Sequence, residues 1–232
     1  MRFVFLPGMD GTGFLFEPIL RLWTEETAPI VLSYPADRIL DYKELESYVS
    51  ARLPVSEPYV LIAESYGGPL GVLIAAKHPL MLRGLVLSAT YVRRPRGRIG
   101  NLLRFLIGPY LCRRSWTRFL TKSMMKLQGL SEQLIQLVVK ALVQAEPRVR
   151  AARLKDALGV EAFEDLKNCD VPVLCLYAER DWLLADHCRE DIRKADPKAK
   201  LVGLDTPHFL LQDKPAEALR EILAFVKTLN PA

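Results

Sequence analysis

Short apolar segments alternate with amphipathic segments along most of this 232-residue chain. The apolar segments are rich in Val, Ile and Leu and are bounded by Gly, Pro and polar residues, which is typical of strands. They predict strands at 3–6, 30–34, 59–63, 85–88, 171–177 and 200–204. Helical periodicity predicts helices at 14–23, 42–52, 68–77, 186–195 and 215–229. The alternation predicts an α/β fold, with a mostly parallel sheet flanked by helices on both faces.

The alternation stops between residues 91 and 166. This stretch contains several helical patterns and no convincing strand. It separates the strand ending at Ser88 from the strand that leads to Asp181. We therefore expect a helical insertion in a single α/β unit, for which 232 residues with 50% hydrophobic side chains suffice.

Ser65 lies at the turn between a predicted strand and a predicted helix, in the sequence 61–68 LIAESYGG. Such a turn can hold a serine hydroxyl exposed above a sheet, provided that small residues lie two positions on either side. Gly67 meets this requirement, and Ala63 adds one methyl group. Ser65 is therefore a candidate nucleophile, although an ordinary strand-to-helix turn can carry the same residues.

Two later segments contain partners for this serine. Asp181 follows the strand at 171–177, and His208 follows the strand at 200–204. A serine hydroxyl is a poor nucleophile until an imidazole takes its proton, and a carboxylate can hold that imidazole in the correct tautomer. The order Ser, Asp, His differs from that of chymotrypsin and of subtilisin. The three residues form a candidate catalytic triad.

The first strand runs into a glycine-rich loop at 7–13. With this loop, the nucleophile turn and the order of the triad, the chain resembles the α/β-hydrolase fold superfamily, and its serine esterases, lipases and thioesterases in particular. The resemblance implies an oxyanion hole built from the backbone amides of Met9 and Tyr66. Pro7 replaces the usual histidine and leaves the Met9 amide intact. The resemblance also implies that residues 91–166 form a helical cap on a core of 1–90 and 167–232.

The glycine-rich loop does not match a nucleotide-binding motif. Gly8, Gly11 and Gly13 fit neither the dinucleotide pattern nor the P-loop pattern, and no lysine follows them. The four cysteines show no metal-binding spacing and indicate reduced thiols in a cytoplasmic protein. The N-terminus lacks the apolar region of a signal peptide, and no apolar run is long enough for a membrane span. We expect no metal and no organic cofactor.

Basic residues concentrate in the insertion. Residues 91–155 carry 15 Lys or Arg and 2 Asp or Glu, a net charge of +13, whereas the rest of the chain carries −8. Four of the basic residues recur every four positions, at Arg114, Arg118, Lys122 and Lys126. Another face of the same helix carries Trp116, Phe119, Leu120, Met124 and Leu127.

This helix has two interpretations. Its apolar side can pack on the core beneath a solvated basic face, or the helix can lie on an anionic membrane surface. We nominate Trp116 and Phe119 for the substrate pocket. Nucleic acid is not expected as a partner, because no recognition motif accompanies the charge.

We predict a serine hydrolase that cleaves a small-molecule ester or thioester, with an apolar acyl group, through an acyl-enzyme. In this reaction Ser65 attacks, His208 is the base and Asp181 orients it. Three alternatives remain open: an acyltransferase, a C–C hydrolase or lyase using the same triad, and a hydrolase-fold protein that binds a ligand with little turnover.

Overall fold

Six strands form one sheet in the described part of the computed structural model, which covers residues 1–95 and 104–229. They are β1 (Arg2–Leu6), β2 (Ile30–Val31), β3 (Tyr59–Glu64), β4 (Leu82–Ser88), β5 (Val173–Ala178) and β6 (Lys200–Leu204). The strand order is β2-β1-β3-β4-β5-β6, and every neighbouring pair is parallel. The predicted parallel α/β sheet is confirmed.

Helices follow the strands as the alternation predicts. Within the described residues they are α1 (Glu17–Leu20), α2 (Tyr42–Ser50), α3 (Gly67–Ala75), α4 (Arg114–Leu127), α5 (Glu132–Leu142), α6 (Pro147–Gly159), α7 (Phe163–Lys167), α8 (His187–Ala195), α9 (Leu210–Asp213) and α10 (Pro215–Val226). Short 3-10 turns at Phe14–Phe16 and Arg104–Leu106 precede α1 and α4.

Helices cover both faces of the sheet. Because side chains alternate along a strand, each strand contributes to the apolar clusters on both faces. Val4 and Leu6 of β1 belong to an apolar cluster that includes residues of α2, α3 and α8. Phe3 and Phe5 belong to a second cluster, formed with α1 and α10. A parallel sheet covered in this way presents the carboxyl ends of its strands along one edge, where open α/β sheets place their ligands.

Two predicted elements are less than half as long as the pattern suggested. Strand β2 ends at Val31, whereas the prediction extended to Tyr34. Tyr34 leaves the ladder because its N–H donates to the Gly11 carbonyl at 2.8 Å and its phenol donates to the Pro7 carbonyl at 2.9 Å. The helix predicted at 14–23 is a 3-10 turn followed by the four-residue α1, whose first turn contains Pro18, a residue without an N–H to donate.

Helices α4 to α7 are inserted between β4 and β5. Met125, Ile135 and Val138 form a small apolar cluster of their own with Leu15, whereas the start of α7 packs into the core beneath α3. The cap boundaries at 91 and 166 stay a prediction, and residues 96–103 of the cap and 230–232 of the core lie outside the described residues. Among the helices of the described ranges, none has the length and apolar character required to cross a bilayer; the cytoplasmic location remains a prediction.

Candidate active site

The structure brings the three predicted triad residues together at the carboxyl edge of the sheet. Ser65 Oγ lies 3.0 Å from His208 Nε2, and His208 Nδ1 lies 2.8 Å from Asp181 Oδ2. The imidazole and the carboxylate are buried, with side chains only 6% and 10% exposed. Since the Asp181 carboxylate can only accept a hydrogen bond, Nδ1 carries the ring proton and donates to it, and the Nε2 lone pair of the neutral imidazole faces the serine hydroxyl. This is the arrangement that serine activation requires.

Ser65 adopts a left-handed backbone conformation, with φ of +50°. For a residue with a side chain this conformation costs roughly 1–2 kcal/mol, and three hydrogen bonds hold it in place. The Ser65 N–H donates to the Ser88 carbonyl at 2.9 Å. The Ser65 carbonyl accepts from the Gly68 N–H at 3.0 Å and from the Thr90 hydroxyl at 2.5 Å. The strained turn fixes the position from which the serine reaches His208.

Two glycines of α3 allow the helix to approach the sheet closely at this turn. A Cβ on Gly67 would lie 2.7 Å from the Pro7 carbonyl oxygen, so any larger residue would push the helix away from the loop after β1. A Cβ on Gly71 would lie 2.9 Å from Cβ of Ala63. The methyl group of Ala63 is therefore accommodated because a glycine faces it across the helix–strand contact.

The carboxylate of Asp181 is held by backbone amides. Its Oδ1 accepts hydrogen bonds from the N–H groups of Leu183 and Leu184, both at 2.9 Å, and its Oδ2 is left for His208. Asp186, the other acid near this loop, has a side chain that is 88% exposed and pairs with Arg189. Asp181 is therefore the acid that the fold places beside the imidazole.

The loop after β1 passes directly beside the serine. A Cβ on Gly8 would lie 3.4 Å from Cβ of Ser65. The next amide, that of Met9, donates no hydrogen bond within the described residues, and neither does the amide of Tyr66. Two unsatisfied donors near a nucleophile are available to a developing oxyanion. The assignment of these amides to an oxyanion hole stays a prediction, and this pattern of unused donors supports it.

A buried arginine of the insertion holds the outer side of this loop. Arg153, on α6, donates through Nη1 to the carbonyls of Met9 (3.1 Å) and Asp10 (2.9 Å), and through Nη2 to the carbonyl of Pro35 (3.0 Å). The bonds to the carbonyls of Met9 and Asp10 restrict how the loop presents the Met9 amide. Nothing in the sequence around Arg153 indicates this role, since the contact spans more than 140 residues.

A cavity of about 280 Å³ opens beside Ser65 and His208. Most of its lining is apolar and comes from the 3-10 turn after the glycine-rich loop, the inserted helices and the loops that carry Asp181 and His208: Leu15, Leu120, Met124, Met125, Val138, Leu142, Trp182, Leu183 and Phe209. Three larger clefts, of about 490, 650 and 970 Å³, have none of Ser65, Asp181 and His208 in their lining. The cavity therefore fits an apolar group next to Ser65.

The structure does not bring Trp116 and Phe119 to this cavity. Their side chains are 47% and 62% exposed, and their rings pack edge to face against each other at 6.5 Å. Leu120 and Met124 of the same helix line the cavity instead. The prediction selected a helix that lines the cavity, but a sequence pattern does not show how a helix is rotated about its axis, and Trp116 and Phe119 are not among the lining residues.

A buried acid that the sequence reasoning missed lies immediately before Ser65. Glu64 lines the cavity and accepts a hydrogen bond from Gln212 Nε2 at 2.9 Å, while its second oxygen has no partner among the described residues. Asp10, which also lines the cavity, has one carboxylate oxygen without a partner in the same part of the chain. Burial raises the pKa of Glu64 from 4.5 to about 7. The neutral acid is thus the favoured form of Glu64 in the folded protein up to neutral pH.

The raised pKa of Glu64 predicts a pH-dependent contribution to stability. Because the folded state holds the proton more tightly than the unfolded chain, the contribution is fully present below pH 4.5 and is lost as pH rises to about 7. The shift corresponds to about 3 kcal/mol. We expect the difference in unfolding free energy between wild type and Glu64→Gln to change by that amount between about pH 4 and pH 8, measured by urea denaturation. Parallel pH profiles for the two proteins would contradict the assignment.

Comparison with known proteins agrees with this architecture. A sequence profile described as "Alpha/beta hydrolase family" matches residues 3–222. MenH from S. aureus has a TM-score of 0.82 at 16% identity, over 98% of this chain and 93% of that one. A thermophilic esterase from Thermogutta terrifontis gives 0.81 at 18%, over 98% and 89%. The enol-lactonase from Burkholderia xenovorans LB400 gives 0.78 at 14%, over 97% and 91%. No curated protein matches the sequence.

At these identities the structural likeness describes the fold and leaves the substrate open. The sequence profile is the stronger finding, because it extends from β1 into α10 and so includes all three triad positions. The predicted α/β-hydrolase fold is confirmed by both comparisons. The chain belongs to the alpha/beta hydrolase family.

Proposed function

We propose that this protein is a serine hydrolase that cleaves a carboxylic ester or thioester through an acyl-enzyme. The observation that carries the proposal is the hydrogen-bonded series from Ser65 through His208 to Asp181, which lies at the wall of an apolar cavity. Membership of the family and the esterase and lactonase among its structural neighbours support hydrolysis as the class of reaction.

In the proposed reaction each group has a role. Ser65 Oγ attacks the acyl carbon while its proton passes to His208 Nε2, and Asp181 stabilises the resulting imidazolium. The carbonyl oxygen becomes negatively charged in the tetrahedral intermediate, where the amides of Met9 and Tyr66 donate to it. The imidazolium then protonates the departing alcohol or thiol. Water, deprotonated by the same imidazole, attacks the ester of Ser65 and restores the free hydroxyl.

The surroundings of the triad favour an uncharged acyl group. The cavity is apolar along the inserted helices, and burial of Glu64 favours its neutral form, so an ionised acyl chain would find little compensation there. We propose that the inserted helices act as a cap that selects the acyl group. Transfer to an alcohol, C–C bond cleavage and binding without turnover are the alternative outcomes of the test.

We expect p-nitrophenyl esters and acyl-CoA thioesters of increasing chain length to reveal turnover that depends on the acyl group. The rate should rise as the chain fills the cavity, because buried apolar surface contributes roughly 25 cal/mol per Å². Ser65→Ala is the control. Product analysis with added alcohol distinguishes transfer from hydrolysis. Binding of the intact esters or thioesters without cleavage would instead indicate a ligand-binding protein.

A further inference from the structure

Helix α4 turns its apolar residues outward. Only Met125 of this helix is buried, although an amphipathic helix normally covers the core with its apolar face. Nine of the fifteen exposed large apolar side chains among the described residues belong to the segment 105–127: Phe105, Leu106, Tyr110, Leu111, Trp116, Phe119, Leu120, Met124 and Leu127. We call this set the α4 surface. Most of the apolar side chains of α4 therefore do not pack on the core.

The α4 surface has basic neighbours and no acidic residue in its own segment. Residues 104–127 include six Lys or Arg and no Asp or Glu. Lys126 pairs with Glu132 of α5 at 3.6 Å. Arg118 and Lys122 make no ion pair within the described residues. Glu132 thus offsets only part of the positive charge that accompanies the exposed apolar residues.

The α4 surface is continuous with the wall of the cavity. Leu120 and Met124 line the cavity beside Ser65, and each side chain is also more than 40% exposed. At about 280 Å³ the cavity lies just below the range of roughly 300–1,000 Å³ common for ligand sites. A long acyl chain would therefore extend past these two side chains onto the α4 surface.

We propose that the α4 surface docks on an anionic phospholipid bilayer and that a long acyl chain passes from the bilayer to Ser65 along Leu120 and Met124. Exposed Trp, Phe and Leu beside Lys and Arg is the composition of helices that lie in the membrane interface. Charge favours this occupant over a second copy of the chain, because two α4 surfaces facing each other would bring like charges together. Passage of the acyl chain rests on the proposed function; docking does not.

Vesicle flotation tests the docking. The wild type should float with vesicles of phosphatidylglycerol and phosphatidylcholine at low salt, less at high salt, and little with phosphatidylcholine alone. Arg118→Glu with Lys122→Glu should weaken the partitioning at least about 30-fold, since each basic residue near such a surface contributes about 1 kcal/mol. Leu106→Ser with Leu127→Ser should also weaken the partitioning, because the variant lacks two apolar side chains that the proposal places in the membrane interface.

Matched variants elsewhere on the surface provide the controls. Lys194→Glu with Lys198→Glu reverses two exposed lysines outside the α4 surface. Val55→Ser with Leu80→Ser removes two apolar side chains that are as exposed as Leu127. Both control proteins should float like the wild type. Every variant should hydrolyse a short soluble ester at the wild-type rate, whereas the two α4 variants should lose turnover of long-chain esters carried in anionic vesicles.

The outcomes separate docking from catalysis. Absence of wild-type flotation at low salt overturns the proposal, as does equal flotation of the α4 and control variants. If the wild type forms a dimer in solution and the variant Leu106→Ser with Leu127→Ser does not, the proposal is overturned in favour of a second copy of the chain. Flotation that does not depend on the charge of the lipid overturns the anionic assignment. Since flotation needs no turnover, failure of the proposed function would abolish hydrolysis in both ester assays and leave flotation unchanged.

Discussion

Ser65→Ala is expected to lower kcat by about 10⁶, the loss seen when the nucleophile of a serine triad is removed. Without the hydroxyl no acyl-enzyme forms, although the cavity and the unsatisfied amides of Met9 and Tyr66 remain. A fluorophosphonate probe should label the wild type once, at Ser65, because only an activated serine attacks such a phosphorus centre readily. Mass spectrometry of the labelled peptide and ester turnover measure the two effects.

Ser88 provides a matched serine for this test. It is fully buried at the end of the neighbouring strand, and within residues 1–95 and 104–229 its hydroxyl has no hydrogen-bond partner. Ser88→Ala should keep both the labelling and the turnover, since its contribution to the turn is a backbone carbonyl. Labelling that persists in Ser65→Ala would place the reactive serine elsewhere and would remove the basis of the proposed function.

Asp181→Asn should lower kcat by roughly 10³–10⁴ while the fold is kept. An asparagine can still accept from the amides of Leu183 and Leu184 with its oxygen, but it then presents its NH₂ group to His208 Nδ1. The imidazole would hold its proton on Nε2 and could no longer accept the proton of Ser65. Steady-state kinetics on a short ester and the midpoint of thermal unfolding measure the two parts of the expectation.

The exposed Asp186 offers the control for this substitution. Asp186→Asn removes an exposed carboxylate of the same loop that pairs with Arg189 at the surface, so kcat should stay near the wild-type value. If Asp181→Asn kept full activity, or if Asp186→Asn caused the larger loss, the acid of the triad would have to be reassigned.

Much of the fold and of the candidate site could be predicted because their signals are local. Period-two and period-3.6 patterns indicate elements within a few residues, and β3, β6 and α2 begin at the predicted positions. The turn at Ser65 depends on its own small neighbours. Asp181 and His208 each follow a strand, and parallel strands place such residues on one edge. The order of motifs along the chain therefore sufficed to select them.

Contacts between segments that are distant in the sequence could not be predicted from local patterns. Arg153 binds the carbonyl of Met9 across more than 140 residues, and Tyr34 ends β2 early by binding Pro7. The raised pKa of Glu64 comes from burial by many parts of the chain. None of these effects has a periodicity or a spacing that a linear pattern can display.

Local patterns in the sequence are enough to predict a parallel α/β sheet, helices inserted after β4, and a serine, an aspartate and a histidine that follow its strands. They are also enough to predict that α4 is amphipathic. The direction in which that helix faces depends on tertiary packing, because rotation of a helix about its axis is set by its neighbours and leaves its sequence pattern unchanged. In this protein the packing buries Met125 and exposes Phe119 and Leu127.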